Sequence, residues 1–351
     1  MKPHVRSKRI LFVLKDRVYQ KEYSQSYGLY NSALMVAEYL KSTGNECKLV
    51  TVIDANFIDA EVYKYKPDIV IIEALWVTGK KLRELVSISR YKNIKWVIRV
   101  HSNIGFLAVE SYAFRYINSY LEINNRNIII SFNNTDFNKN MSDIYRHNFK
   151  YLPNIVSIVP PHKDTLGKHN HTILNIGCFG APRILKNQLF QAMCAIEVAN
   201  RLGISLHFHI NGDIQNPHNS VLSNMIELFK KSGRHKLFIH GWMEHDIFNN
   251  IIRRMDIGLQ TSYTESFNII VADFILNDVP IIVSDSITWM PKISKVSNID
   301  YDELINKIIR VYKCNTIRNV LLRRSVRNLA KFNLESKKVW HKFIKEDLQN
   351  F

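Results

Sequence analysis

Along the first half of the chain, short apolar runs alternate with longer stretches in which apolar residues recur every three or four positions. The runs at residues 10–14, 48–52, 69–72, 96–100 and 127–131 predict strands. The periodic stretches at 29–41, 55–63, 81–89, 105–121 and 136–145 predict helices. The strand runs are apolar at successive positions, the pattern of a parallel sheet buried on both faces. Lys66-Pro67-Asp68 suits an entry into the third strand, because proline fixes the turn and removes a donor. Between residues 160 and 171 the chain reads PPHKDTLGKHNH, polar and without period, which predicts a linker. Alternation then resumes, with strands predicted at 173–179, 205–210, 237–239, 257–260 and 281–284. Helices are predicted at 189–200, 221–231, 246–254 and 267–276, and beyond Asp302 only helical patterns remain, ending with 335–348. The expectation is an α/β protein of two Rossmann-like, doubly wound domains facing a cleft. The expected boundaries are 1–158, a linker at 159–171, 172–333, and a C-terminal helix at 334–351 returning to the first domain. Such sheets bind ligands at their carboxyl edges.

Composition adds limits. The 351 residues suffice for two cores, and 46% apolar with 23% charged residues is a globular balance. No apolar run nears the roughly 20 residues of a membrane helix. Residues 1–9 are basic, but the apolar stretch after them is short, so it reads as a first strand rather than a secretion signal. The cytoplasm is the expected location, a host's cytoplasm if the source is viral. Cys47, Cys178, Cys194 and Cys314 are widely spaced, which suits small buried hydrophobes better than disulfides or a zinc site. His207 and His209 lack further ligands at metal-binding spacing, so no metal is expected. The net charge of +17 does change the picture, because it favours a polyanionic partner, either nucleic acid or an acidic membrane surface. Basic clusters stand at 4–9, 230–236 and 323–327. The chain is also rich in Asn, Ile and Lys, and an A/T-rich genome would raise the lysine count without any binding role.

The most informative segment runs from Met255 to Asp285: MDIGLQTSYTESFNIIVADFILNDVPIIVSD. A strand leads through a polar turn into a helix apolar on nearly every face. The free N–H groups of that helix start, beside hydroxyls and Glu265, make an anion site suited to a diphosphate. A carboxylate there also accepts hydrogen bonds from sugar hydroxyls, although answering the helix dipole is a sufficient role by itself. The segment resembles the donor signature of the large retaining GT-B glycosyltransferase family (glycosyl transferase group 1, family 4-like), S-x-x-E-S/G-F-G-x-x-x-x-E-A-x-x-x-G-x-P-V-V. Ser262, Glu265, Ser266, Phe267, Val279, Pro280 and Asp285 stand in matching places. The resemblance implies that Glu265 contacts the transferred sugar and that the Ser266–Asn268 backbone binds the diphosphate. The second acid of the signature, which holds the ribose, is here Asp273, with a reach shorter by roughly 1.5 Å. Asn268 replaces the usual glycine.

Other matches follow. Residues 176–187 read IGCFGAPRILKN where the family has G-R-x-x-x-x-K-[GN]. Lys186 and Asn187 match its end, Ala181 stands at the arginine position, and Arg183 two residues on is expected to supply the missing charge. Paired cations fit a departing nucleoside diphosphate, which gains negative charge as the glycosidic bond breaks. Gly212, in Asn211-Gly212-Asp213, falls where the family has a glycine turn near the nucleotide. Trp242 either stacks on the base or packs in the core. Gly28, before a helix, takes the place of a glycine-rich loop. His101 resembles a donor-proximal histidine, with a purely structural role the alternative, and Tyr151-Leu152-Pro153-Asn154 resembles the segment entering the family's linker.

By resemblance, then, the chain is a metal-independent, cofactor-free transferase using a nucleotide-sugar, in all expectation a UDP-sugar, with Glu265, His101 and Lys186 at its catalytic centre. The charge and the A/T-rich bias favour DNA as acceptor, as with the bacteriophage enzymes that modify hydroxymethylated pyrimidines, and aromatics between Phe106 and Tyr120 are candidates to line a DNA groove. The alternatives are a cell-envelope saccharide or lipid-linked glycan with peripheral membrane contact, a nucleotide-sugar-binding protein without catalysis, and an epimerase.

Overall fold

The computed structural model describes residues 7–16, 27–157, 172–212 and 219–347. The expected linker at 159–171, Asp213 and residues 4–6 of the basic cluster lie outside them. The chain divides into two compact units, Met1–Ser157 with Asn333–Phe351, and Ile158–Phe332.

In the first unit, β1 (Arg9–Lys15), β2 (Glu46–Val52), β3 (Ile69–Glu73), β4 (Lys95–Val100), β5 (Ile128–Phe132) and β6 (Lys150–Tyr151) form a parallel sheet of order β2-β1-β3-β4-β5-β6. Its helices are α1 (Tyr27–Ser42), α2 (Phe57–Tyr65), α3 (Gly79–Ser87), α4 (Ile104–Val109), α5 (Ala113–Leu121) and α6 (Thr135–Tyr145). Alternate residues of β1 point to opposite faces. Leu11 and Val13 join one apolar cluster with Val70, Trp96 and Phe132, while Ile10 and Phe12 join the other with Val36, Val97 and Trp340. Burial on both faces is why the runs at 10–14 and 69–72 are continuously apolar.

In the second unit, β7 (Ile173–Gly177), β8 (Ser205–Asn211), β9 (Lys236–His240), β10 (Ile257–Gln260), β11 (Ile281–Ser284) and β12 (Lys295–Val296) form a parallel sheet of order β12-β11-β10-β7-β8-β9. That is the 3-2-1-4-5-6 order of dinucleotide-binding sheets, counted from β7. The helices α7 (Gln188–Leu202), α8 (Ser220–Lys230), α9 (His245–Ile252), α10 (Ile269–Leu276) and α11 (Tyr301–Lys313) belong to it, and α12 (Asn315–Lys342) begins in it and from Asn333 belongs to the first unit. Cys178 and Cys194 are fully buried and unpaired, and desolvation pushes the Cys194 thiol up to about 12. No helix among the described residues is long and apolar enough to cross a membrane.

Three expectations are corrected. The helix predicted at 105–121 is two helices, because Glu110 leaves helical geometry (ψ 90) while its carboxylate accepts the Ser102 hydroxyl at 2.9 Å. The last helix does not begin near residue 335. It runs unbroken for 28 residues from Asn315, with neither glycine nor proline to stop it, and ends in a π turn, Phe343–Asp347. The helix predicted from Phe267 begins at Ile269, with Asn268 as its cap. The short edge strands β6 and β12, of two residues each, leave no readable alternation and were not predicted.

Candidate functional site

In the second unit the strand order reverses between β7 and β10, so the loops leaving their carboxyl ends diverge and open a crevice between them. The β7 loop carries Lys186 and the β10 loop carries Glu265. Lys186 Nζ and Glu265 Oε1 are 2.6 Å apart, with the side chains only 16% and 6% exposed. An ion pair this sheltered is little screened by salt. At the start of the β7 loop Gly180 has φ +109, and its N–H donates to Asn211 Oδ1 at 2.9 Å. A side chain there would be strained, which explains the glycine.

Buried amides fix both loops. Asn187, at φ 55, donates from Nδ2 to the carbonyls of Thr261 (3.2 Å) and Asn298 (2.7 Å). Gln188 donates to the Gly180 carbonyl at 3.0 Å and accepts the Arg183 N–H at 3.2 Å. Gln191 donates to the Lys186 carbonyl at 2.8 Å and accepts the Thr261 N–H at 2.9 Å. Gln260 donates to the Phe179 carbonyl at 2.7 Å and accepts from Asn268 Nδ2 at 2.8 Å. Lys186 and Glu265 therefore sit on loops tied to each other and to the sheet.

The expected glycine position, Asn268, has φ +63, the region glycine favours. Asparagine tolerates it, and its side-chain oxygen also accepts from Val271 N, capping α10. Ser266 and Phe267 precede the helix in this loop. The Phe267 ring is buried against Trp289 and Phe332, with centroids at 5.3 and 5.0 Å, so its side chain anchors the loop and faces the core. Trp289 Nε1 donates to the Phe267 carbonyl at 2.8 Å.

Asp273 is buried within α10, and its Oδ1 accepts from His245 Nε2 at 2.9 Å. That hydrogen bond raises the His245 pKa above its ordinary value against the opposing effect of burial. His245 opens α9 and is about a third exposed, so it stands between Asp273 and solvent. Gly212 is buried at the end of β8, where an added Cβ would meet Ile239 at 3.1 Å. Trp242 is half-buried and outside the unit's apolar cluster. Arg183 is exposed on the β7 loop, its backbone rather than its side chain held by Gln188.

Two expected residues belong to the first unit. Gly28 lies in the first turn of α1, which begins at Tyr27, and not in a loop ahead of the helix. First-turn N–H groups have no intrahelical partner, so the helix forms around this glycine at little cost. His101 follows β4 and forms a polar cluster with Glu73 and Arg99. Arg99 is fully buried and donates to both Glu73 oxygens at 3.2 Å, to the carbonyls of Leu152 (3.1 Å) and Pro153 (2.9 Å), and to Asn154 Oδ1 at 2.5 Å. His101 Nε2 bonds to Glu73 Oε2, and Nδ1 lies 3.4 Å from Asn133 Nδ2. These contacts assign the proton to Nε2 and leave Nδ1 as acceptor. Burial, reinforced by Arg99, pushes the His101 pKa down, against the pull of Glu73. Burial pushes the Glu73 carboxyl up, but Arg99 and His101 outweigh it and hold the carboxyl below its ordinary value.

Glu73, Arg99, His245 and the glutamine set were missed by sequence reasoning. Glu73 and Arg99 carried a signal: a charge inside or ending an otherwise apolar strand must find a partner. The glutamines carried none, since an amide on an amphipathic helix reads as surface. Chemically, the second unit offers a cation, a carboxylate and a helix start on two fixed loops, an arrangement that can hold an anionic ligand bearing hydroxyls.

No family model matches the sequence, and no curated protein matches it in sequence. Solved structures do resemble it in fold. Trehalose-6-phosphate synthase OtsA superposes with a TM-score of 0.71 at 10% identity, covering 98% of this chain and 99% of that one. Sucrose-phosphate synthase of Thermosynechococcus elongatus gives 0.69 at 12%, covering 98% and 99%. HepE of Anabaena, solved with UDP and glucose, gives 0.67 at 13%, covering 98% and 100%. Against S. aureus TarM, solved with UDP among its ligands, the TM-score is 0.60 at 14% identity, and this chain matches about half (55%) of that longer protein. Identities this low speak for the fold alone, and the fold they share with this chain is GT-B, built from two Rossmann-like α/β units.

Proposed function

We propose that this protein is a glycosyltransferase that takes a sugar from a nucleotide-diphosphate donor held in the second unit. The observation that carries the reading is the Lys186–Glu265 pair, on the two loops that flank the reversal of strand order. In this reading Lys186 turns its remaining N–H groups to the diphosphate, Arg183 adds charge from the same loop, and the start of α10 binds a phosphate oxygen. Glu265 accepts from a hydroxyl of the transferred sugar. Asp273 and His245 take the ribose, Trp242 borders the base, and a UDP-sugar is the donor to try first, since HepE and TarM were solved with UDP.

The reaction proposed is transfer with retention. The acceptor oxygen bonds to the anomeric carbon on the face from which the diphosphate departs, the carbon–oxygen bond to phosphate breaks, and the acceptor proton passes to the leaving phosphate oxygen. Charge on that leaving group is met by Lys186, Arg183 and the helix start, which take the role a metal ion fills elsewhere. For the acceptor, the net charge of +17 supports a polyanion, and hydroxymethylpyrimidine DNA is the acceptor proposed.

The test is transfer from a panel of labelled nucleotide-sugars to hydroxymethylpyrimidine DNA, unmodified DNA and a lipid-linked saccharide mixture, with Glu265→Ala as control. Label confined to hydroxymethylated DNA and lost in the variant supports the whole reading. Label entering only the saccharide keeps the transferase and discards the DNA acceptor. Donor binding without turnover on any acceptor supports a binding protein instead, and conversion of donor alone an epimerase.

A further inference from the structure

The chain carries 31 acidic residues in 351, yet the 31 consecutive residues 304–334 contain none. The same stretch holds eight cations: Lys307, Arg310, Lys313, Arg318, Arg323, Arg324, Arg327 and Lys331. Two of these serve the fold. Lys307 donates to the Ile293 carbonyl at 3.0 Å and Arg318 to the Asp256 carbonyl at 2.8 Å. Arg323, Arg324, Arg327 and Lys331 on α12 are exposed, and no hydrogen bond or ion pair engages their side chains among the described residues.

Their placement is one-sided. Leu321, Ser325 and Leu329 are buried and mark the inner face of α12. At about 100° per residue, Arg323, Arg327 and Lys331 align on the opposite face, with Arg324 about 60° from Arg327. The aligned trio spans about 12 Å along the axis. That length matches roughly three to four phosphates of one strand of duplex DNA.

We infer that this face of α12 is a docking surface for the phosphate backbone of duplex DNA. The four cations repel one another, the nearest acid along α12, Glu335, is paired with Lys338, and three of the four are arginines, whose planar fork suits phosphate. A membrane-docking helix presents a large apolar face beside its cations. Here the cations hold the centre of the exposed face, Val326 stands about 100° away from Arg327, and only Leu334 extends the stripe with an apolar side chain. The assignment rests on the polyanion reading of the acceptor for its choice of partner. It is tested by binding without donor, so failed transfer leaves it intact and its own failure leaves the donor reading intact.

The experiment is fluorescence anisotropy of a labelled 25-base-pair duplex with the full chain, across a salt series. Comparison is with Arg323→Ala/Arg324→Ala/Arg327→Ala and with the corresponding triple lysine variant. If each arginine meets one phosphate, the alanine variant lowers the slope of log K against log salt by about 2.7, and the lysine variant keeps it. An unchanged slope in an alanine variant that melts with the parent overturns the inference. So does an outcome in which the parent binds phosphatidylserine vesicles, the alanine variant does not, and their DNA affinities agree.

Discussion

Replacing Glu73 by glutamine keeps the shape of the side chain and removes its charge, which isolates what the carboxylate does for Arg99. Arg99 is fully buried, and its other acceptors are the neutral oxygens of Leu152, Pro153 and Asn154. Without Glu73 the guanidinium becomes an uncompensated buried charge, a loss worth about 3–5 kcal/mol. For a unit of this size that corresponds to a fall in Tm of about 6–20 °C. Urea unfolding at pH 7, with hydrogen exchange of the β3 and β4 amides to localise the effect, measures it. Pairing Glu73→Leu with Arg99→Met removes both charges and is expected to cost less than Glu73→Gln alone. The direction with pH is also fixed. The folded pKa of Glu73 is lowered, so its stabilisation is complete above the unfolded carboxylate range and is lost as pH falls through the folded value. His101, also lowered, likewise stabilises above its unfolded pKa and loses this on acidification. A Glu73→Gln variant destabilised by less than about 1 kcal/mol, or a double variant weaker than the single, refutes the reasoning.

Asn268→Gly keeps the positive φ but loses both the cap hydrogen bond and the bond to buried Gln260 Oε1, and is expected to unfold about 1–3 kcal/mol more easily in urea. Asn268→Ala meets the same losses and adds the strain of a non-glycine residue at φ +63, about 1–2 kcal/mol beyond the glycine variant. Gly258→Ala would put a Cβ 2.6 Å from the Phe274 ring and destabilise by about 1–3 kcal/mol, whereas Gly241→Ala meets nothing within 4 Å and should leave Tm unchanged. The pKa of His245 is raised by Asp273, so its charged form persists above the ordinary histidine range. Affinity for UDP, measured by calorimetry, is expected to weaken as pH rises through that value, and Asp273→Asn should move the transition toward lower pH.

Much of the architecture was legible because burial on both faces leaves few polar residues inside a strand run. Residues 69–72 and 281–283 announce themselves by apolarity alone. The β10 loop was legible for another reason: Glu265, Ser266 and Phe267 stand just ahead of an apolar helix. What escaped depends on partners distant in sequence. Asp273 gives no hint of His245, 28 positions earlier, and Glu73 and Arg99 meet only because β3 and β4 are neighbours. The break at Glu110 escaped as well, since no glycine or proline marks it and its carboxylate's partner, Ser102, lies outside the helix.

The amides that fasten the β7 and β10 loops bear on how such a protein diversifies. Gln188, Gln191, Asn187 and Gln260 grip mainly carbonyl and N–H groups of the main chain, which every residue type supplies. Side chains between these anchor points are consequently at liberty to drift: Gln188 holds Arg183 by its backbone N–H, so replacing that side chain leaves the anchoring contact untouched. Neutral drift in the loops, with the scaffold held constant, gives a lineage room to exchange one ligand for another without passing through an unfolded intermediate genotype.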